Sequence, residues 1–432
     1  MSSQPAAPPP PSAALPPPAP RLGFGLRLRL SAMMFLQSAA PGTFWPIMGR
    51  YLRDGLGFDA GDVGRIYATL AVGAMVSPMI VGPLADRYFA ADRMLAALHL
   101  GAALLLVVPA QFEPGTELAG LSGPGLYWWA MLAFALVFQP TWVLAYSVCF
   151  RHLPDARRDM PGIRVIGTVG WVVAGLLIGP LLGEGAEATG RPLLMGAAFA
   201  GALAVLSLTV LPPTPAVGRA GDPLPFRKAL ALLGDVRFAA FFAAAFLINW
   251  ASAFYYPYMS VFLRAEGYVN TAATMTVGQV SETVLMPLLP LMLLRFGFRT
   301  TLVIGASAWV VRYALFAGVA EAESLPLLGT VTVLAGVFLH GPCIGFYREG
   351  CFLYVKERSP LEIRNSAQAL FLLMSDGLAS LLGAELSGRI VAAHTDPATR
   401  LVDWSAVWLY PAVGAAVGVA LLVWSVRERP AE

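Results

Sequence analysis

Apolar residues in this chain come in twelve runs of roughly twenty, parted by short polar breaks, and that rhythm leaves few folds open. The first six runs cover about 30–49, 61–82, 93–111, 124–150, 163–183 and 192–211. The second six cover about 238–262, 271–294, 300–319, 326–354, 364–388 and 404–426. Each is long enough to cross a bilayer as a helix, which pairs its own backbone polar groups where no water can. Composition agrees: 57% of residues are hydrophobic and 13% charged, against roughly 25% charged in soluble domains. The expectation is an all-α membrane protein with twelve transmembrane helices.

The longest polar connection starts at Leu211-Pro212-Pro213 and runs to Asp235, between the sixth and seventh runs. Two six-helix bundles related by a pseudo-two-fold axis follow, with a site between them near the midplane. The chain divides into a disordered Pro-rich tail (1–28), a first bundle (29–212), a linker (213–236), a second bundle (237–427) and a short tail (428–432). The tail lacks a basic stretch followed by an apolar one, so it is not a signal peptide. The first apolar run itself serves as the insertion signal.

Basic residues set the orientation. With the amino terminus inside, about 19 of the 29 Lys and Arg fall on the inner side and about 6 on the outer. Both termini are then expected to be cytoplasmic in a multi-pass membrane protein. The net charge of +3 is too small to argue for nucleic acid. Three cysteines and four scattered histidines form no metal-binding spacing. Walker loops, nucleophile elbows and His-Glu zinc patterns are missing, so no cofactor, no enzyme activity and no ATP-driven step are expected.

Glu282 stands out inside the eighth run. A carboxylate at bilayer depth costs about 3 kcal/mol or more unless paired, watered or protonated. Gln279, Glu282 and Met286 are spaced i, i+3, i+7 and share a helix face; Arg164, Thr168 and Trp171, at i, i+4, i+7, share another in the fifth run. A forked donor, a hydroxyl and a flat indole on one face suit a polar, ring-shaped solute. Two plainer explanations stay open: Arg164 snorkelling to the inner surface, and Glu282 paired with Arg312 of the ninth run. An apolar surround favours the neutral carboxyl, so Glu282 and Asp376 are candidate proton carriers. Pro287 and Pro290 predict a bend after Glu282. Glu385 and Arg389 predict a local i, i+4 salt bridge, and Ser359-Pro360-Leu361-Glu362 a capping box.

Gly82-Pro83-Leu84-Ala85-Asp86-Arg87 followed by Arg93 resembles the G-x-L-x-D-R-x-x-x-R loop of the major facilitator superfamily, with Arg93 slightly late and Asp92 before it. Asp86, Arg87 and Arg93 are inside-gate candidates by that resemblance, and Arg348 and Glu349 are added by their place in the tenth run. Over about Phe35 to Val426 the chain is similar to the nucleoside–proton symporters of that superfamily. Its clearest stretches are Pro161-Gly162-Ile163-Arg164-Val165-Ile166-Gly167-Thr168-Val169-Gly170 and Gln279-Val280-Ser281-Glu282-Thr283, with Ala308 to Ala317 and Ile363 to Ala369 as scaffold. The resemblance implies substrate contacts at Arg164, Thr168, Gln279 and Glu282, with Trp171 where the family has a stacking Phe. The family's amides in the seventh run fall on Ala253 and Tyr256, and its aspartate in the tenth on Gly345. Each buried solute hydroxyl left without a partner costs about 1–3 kcal/mol.

The expected activity is proton-coupled import of nucleosides or similar solutes by alternating access, driven by the proton gradient, with solute, protons and membrane lipid as partners. Transport of a sugar, organic acid or drug is the alternative, and a non-transporting membrane sensor a third.

Overall fold

The computed structural model describes residues 21–118, 120–216, 224–319 and 326–427. The first half comprises α1 (Phe24–Gly42), α2 (Ala60–Tyr88), α3 (Ala91–Ala110), α4 (Gly123–His152), α5 (Ala156–Leu182) and α6 (Arg191–Thr209). The second begins with α7, made of Val236–Ser252 and Tyr255–Ala265, and α8, which starts as Thr271–Leu285 and continues to 296. It ends with α9 (298–317), α10 (Pro326 to Arg358), α11 (Leu361 to Ala393) and α12 (Trp404–Ser425). Twelve helices are thus present among the described residues, each overlapping its apolar run, with α1 displaced six to seven residues toward the amino terminus and α5 starting seven residues early.

Local chemistry explains several boundaries. Asp59, Asp235 and Asp403 cap α2, α7 and α12, accepting from Asp62 N (2.7 Å), Arg237 N (2.8 Å) and Ala406 N (3.0 Å). Gly297 takes φ 72°, the left-handed region glycine enters freely, and so turns α8 into α9. Pro287 lies in a 3-10 turn, Met286–Leu288, that interrupts α8 as the sequence predicts. Two π-helical turns, Cys343–Arg348 in α10 and Leu373–Ala379 in α11, each add a residue to the helical ladder. Leu104, Val205, Leu208, Leu327 and Val413 stay exposed on outward faces, as lipid-facing residues do.

Three expectations change. α1 begins at Phe24, inside the stretch assigned to a disordered tail; Arg27 is helical and donates to Asp159 at 3.2 Å. Residues 1–20 lie outside the described part. The capping box does not form: the Ser359 hydroxyl donates back to Val355 O (2.7 Å), and a 3-10 turn, Leu361–Ile363, starts α11 without a side-chain cap. An i−4 carbonyl within reach competes for the same hydroxyl. In the linker, residues 225–234 form a 3-10 stretch, and α7 already starts at Val236. The Glu385–Arg389 pair forms as expected, at 2.9 Å.

Candidate functional site

A cavity of about 1280 Å³ lies between the two sets of helices. Phe150 and Arg151 at the end of α4, Ala91 at the start of α3, and Phe226 of the central connection line its mouth. It therefore opens on the face that carries the α2–α3 turn and the connection between α6 and α7. A deeper chamber of about 360 Å³ shares Ala74, Gln139, Tyr256, Arg348 and Asp376 with it and reaches Asn249, Ser252 and His340.

All five residues expected to hold solute line the larger cavity. α5 is pressed onto α1 so closely that a Cβ at Gly170 would stand 2.3 Å from Phe35 O, and this fixes the face carrying Thr168 and Trp171. Trp171 meets Tyr256 of α7, ring centres 6.4 Å apart. Among the described residues the Gln279 amide has no protein hydrogen-bond partner, although the residue is 5% exposed. An amide at a cavity wall without a partner is available to a solute.

The charged residues sort into pairs. Arg164 of α5 donates to Glu349 of α10 at 2.7 Å, joining the two sides of the cavity. Arg348 of α10 donates to Asp376 of α11 at 2.6 Å. Arg348 and Glu349 thus point to different partners, as adjacent helical positions must. Glu282 pairs with neither Arg nor Lys among the described residues. Its nearest basic partner is His340 Nε2, 3.6 Å from Oε2. The alternative of a Glu282–Arg312 pair does not form directly, because the His340 ring stands between them, with Arg312 3.1 Å from Nδ1. Arg164, read from sequence as free to fork onto a solute, has one nitrogen engaged by Glu349 in this state.

Of the inside-gate candidates, Arg87 and Arg93 are exposed, and the Asp86 side chain lies outside the described residues. Asp92 is buried instead and accepts from Thr214 N at 2.7 Å, tying α3 to the central connection. Gly345 packs against the backbone of Met286, so its position faces α8 and not the cavity. Sequence reasoning passed over Gln139, Asn249 and Ser252. Gln139 and Asn249 carried a usable signal, an amide inside an apolar run, and Asn249 lies one turn before Ala253.

The opposite side is closed. Glu187, in the α5–α6 turn, accepts from Arg50 Nη1 (2.5 Å), Thr271 Oγ1 (2.6 Å), Ala272 N (2.9 Å) and Thr271 N (3.1 Å). Arg50 also donates to Val269 O at 3.1 Å. One buried carboxylate thereby fastens Arg50 of the α1–α2 connection to the amino terminus of α8, where the helix dipole favours it. Tyr258 donates to Ala60 O (2.6 Å), Arg53 to Arg400 O (2.8 Å), and a Cβ at Gly64 would stand 2.4 Å from Ala384 O.

Twelve crossings in two sets, a polar cavity open to one face and a sealed opposite face define a secondary transporter of the major facilitator fold. The solved structure of the D-xylose–proton symporter shares that fold, with TM-score 0.65 at 13% identity over 92% of this chain and 97% of that one. The family model described as "Nucleoside H+ symporter" matches residues 24–430, and the chain belongs to that family. It is 34% identical to the putative nucleoside transporter YegT of Escherichia coli (strain K12), over 93% of each chain. It is 27% identical to the xanthosine permease of the same organism, over 89% of this chain and 92% of that one. The crystal structure of the nucleoside transporter NupG superimposes with TM-score 0.82 at 27% identity, covering 94% of this chain and all of that one.

Proposed function

We propose that the protein imports nucleosides or close analogues together with protons across a bacterial inner membrane, with both termini cytoplasmic and the cavity open inward in this state. The observation that carries this reading is the meeting of the α5 and α8 faces. Thr168 and Trp171 offer a hydroxyl and an aromatic surface, and Gln279 offers an unpartnered amide beside Glu282. A nucleoside presents complementary parts: a flat base for the indole and sugar hydroxyls for the amide and the carboxylate. Arg164 joins them once it leaves Glu349.

Glu282 carries the proton in preference to Asp376, since Arg348 already neutralises Asp376 at 2.6 Å. A protonated, solute-loaded site has no uncompensated charge to drag through the apolar interior, so reorientation is cheapest in that form. The Arg164–Glu349 pair spans the cavity while it is open inward, and it must part for Arg164 to meet the solute.

Purified protein in proteoliposomes should accumulate labelled uridine or adenosine when the outside is acidic. Glu282→Gln should abolish the acid-driven part while equilibrium binding survives. Uptake in Glu282→Gln with unchanged pH dependence would overturn the assignment, and preferential uptake of a sugar or organic acid would overturn the substrate class.

A further inference from the structure

Arg312 of α9 has no exposed surface, and among the described residues no carboxylate lies within ion-pairing distance of it. Its guanidinium carbon sits 3.6 Å from the Tyr255 ring centre, a cation–π contact that disperses the charge without cancelling it. One nitrogen lies 3.1 Å from Nδ1 of His340. A guanidinium only donates, so Nδ1 must present its lone pair; a neutral imidazole accepting there carries its proton on Nε2. That N–H faces Oε2 of Glu282 across 3.6 Å.

The ring is held in place. A Cβ at Gly278, one turn before Glu282, would stand 2.9 Å from the His340 Cβ, so α8 and α10 touch backbone to side chain there. Ser281 ties the same helices by donating to Phe338 O at 2.6 Å. Tyr255 stacks on the imidazole with centres 5.7 Å apart, and Tyr256 meets it edge-on at 6.4 Å.

We infer that His340 is a positioning residue for the proton step, carrying the influence of the buried Arg312 charge to Glu282. When the ring N–H closes on the carboxylate, the ionised form is held; when the two separate, Glu282 is released to take a proton. The 3.6 Å gap exceeds an ordinary N–H···O bond of about 2.7–3.2 Å, so a shift of about half an ångström switches it. The other groups that bear on His340 are Arg312 from α9, Tyr255 and Tyr256 from α7, and Arg348 of its own helix. Those that bear on Glu282 are Arg348 and Glu349 of α10 and Arg164 of α5. None is interposed between the ring and the carboxylate.

This inference rests on Glu282 being the proton carrier, and the test separates the two. His340→Asn keeps an amide where Nδ1 stood, so Arg312 retains its acceptor, but nothing reaches Glu282. The pH of half-maximal uptake in proteoliposomes should then rise by about one unit, a tenfold change in proton concentration, or about 1.4 kcal/mol. His340→Gln, whose amide extends toward the Nε2 position, should recover part of the shift. A wild-type midpoint in His340→Asn, whatever its maximal rate, overturns the inference. Absence of acid-driven uptake in the wild type refutes the transport reading alone. The infrared band of the protonated Glu282 carboxyl, assigned by its loss in Glu282→Gln, then reads the same shift without transport. Should His340→Asn not be recovered folded, Arg312→Gln removes the distant charge and keeps an N–H donor. It must move the midpoint in the same direction, and an unmoved midpoint overturns the inference equally.

Discussion

Removing the Glu187 carboxylate should shift the resting conformation of the carrier. On the closed face that group receives four N–H or O–H donors, and its loss leaves Arg50, itself buried, with Asp54 at 3.7 Å as its other carboxylate. Deleting one member of a buried ion pair costs about 3–5 kcal/mol, because the survivor stays buried without its partner. Asp54 and the Val269 carbonyl offset part of that for Arg50, so the lower end, about 3 kcal/mol, is the working figure. The cost falls on the state closed at this face, since parting the face would expose Arg50 and the first turn of α8 to water. At about 1.4 kcal/mol per tenfold, the ratio of closed to open changes by roughly a hundredfold. A carrier resting near 99:1 closed would approach parity. Glu117 in the α3–α4 loop and Ala398 in the α11–α12 loop are both exposed, on the closed face away from the cavity mouth. Spin labels on cysteines placed there report the opening by electron–electron distance, and the native cysteines are buried. Glu187→Ala should add a longer-distance population of about half the molecules, and Glu187→Gln a smaller one. A distribution identical to that of the labelled protein with Glu187 intact would refute the reasoning and place the closure at the α2–α11 contact around Gly64.

Other outcomes follow from the same geometry. The Arg164–Glu349 pair is partly exposed, so breaking it should cost under about 1 kcal/mol of stability. Arg164→Glu and Glu349→Arg should each abolish uptake in proteoliposomes while melting close to the wild type, and the double exchange, which restores the pair but not the solute contact of Arg164, should remain inactive. In the α11–α12 loop, the Thr399 and Ala398 N–H groups hold the Asp396 carboxyl below the usual carboxylate range. A depressed carboxylate contributes its stability above its unfolded pKa, about 3.9, and loses it as pH falls through the folded value. A spin label at Ala398 should therefore keep its mobility down to about pH 4 and loosen below it. Asp396→Asn should be loose throughout.

Much of the architecture was legible because each crossing is a continuous apolar run with nearby punctuation: Asp59, Asp235 and Asp403 as caps, Gly297 as a turn, Pro287 as an interruption. The two polar faces were legible too, since helical spacing alone puts Thr168 beside Trp171 and Gln279 beside Glu282. What sequence spacing could not supply was partnership across the molecule. Arg164 meets Glu349 at a separation of 185 residues, and Glu187 meets Thr271 at 84. Glu187 looked like any acidic loop residue because nothing local shows that it caps a distant helix. His340 was visible, but only packing against Gly278 reveals that it lies between two charges. The capping box at Ser359 failed for a local reason, an i−4 carbonyl nearer than the N–H groups ahead.

The two π-helical turns have a mechanical consequence. Arg348 is the last residue of one and Asp376 sits in the middle of the other, so the salt bridge between α10 and α11 is anchored in both helices where the ladder holds a surplus residue. Were such a surplus to shift by one position, one wide hydrogen bond would be exchanged for the next and the rest of the helix would stay wound. Each residue it passes rotates by about 100° around the axis. A single step at either turn would swing Arg348 or Asp376 off the cavity wall and part the bridge, while both helices remain intact. The pair is thus mounted on two short rotary joints, and the cavity can rearrange its charges with little change in the length of the rods that carry them.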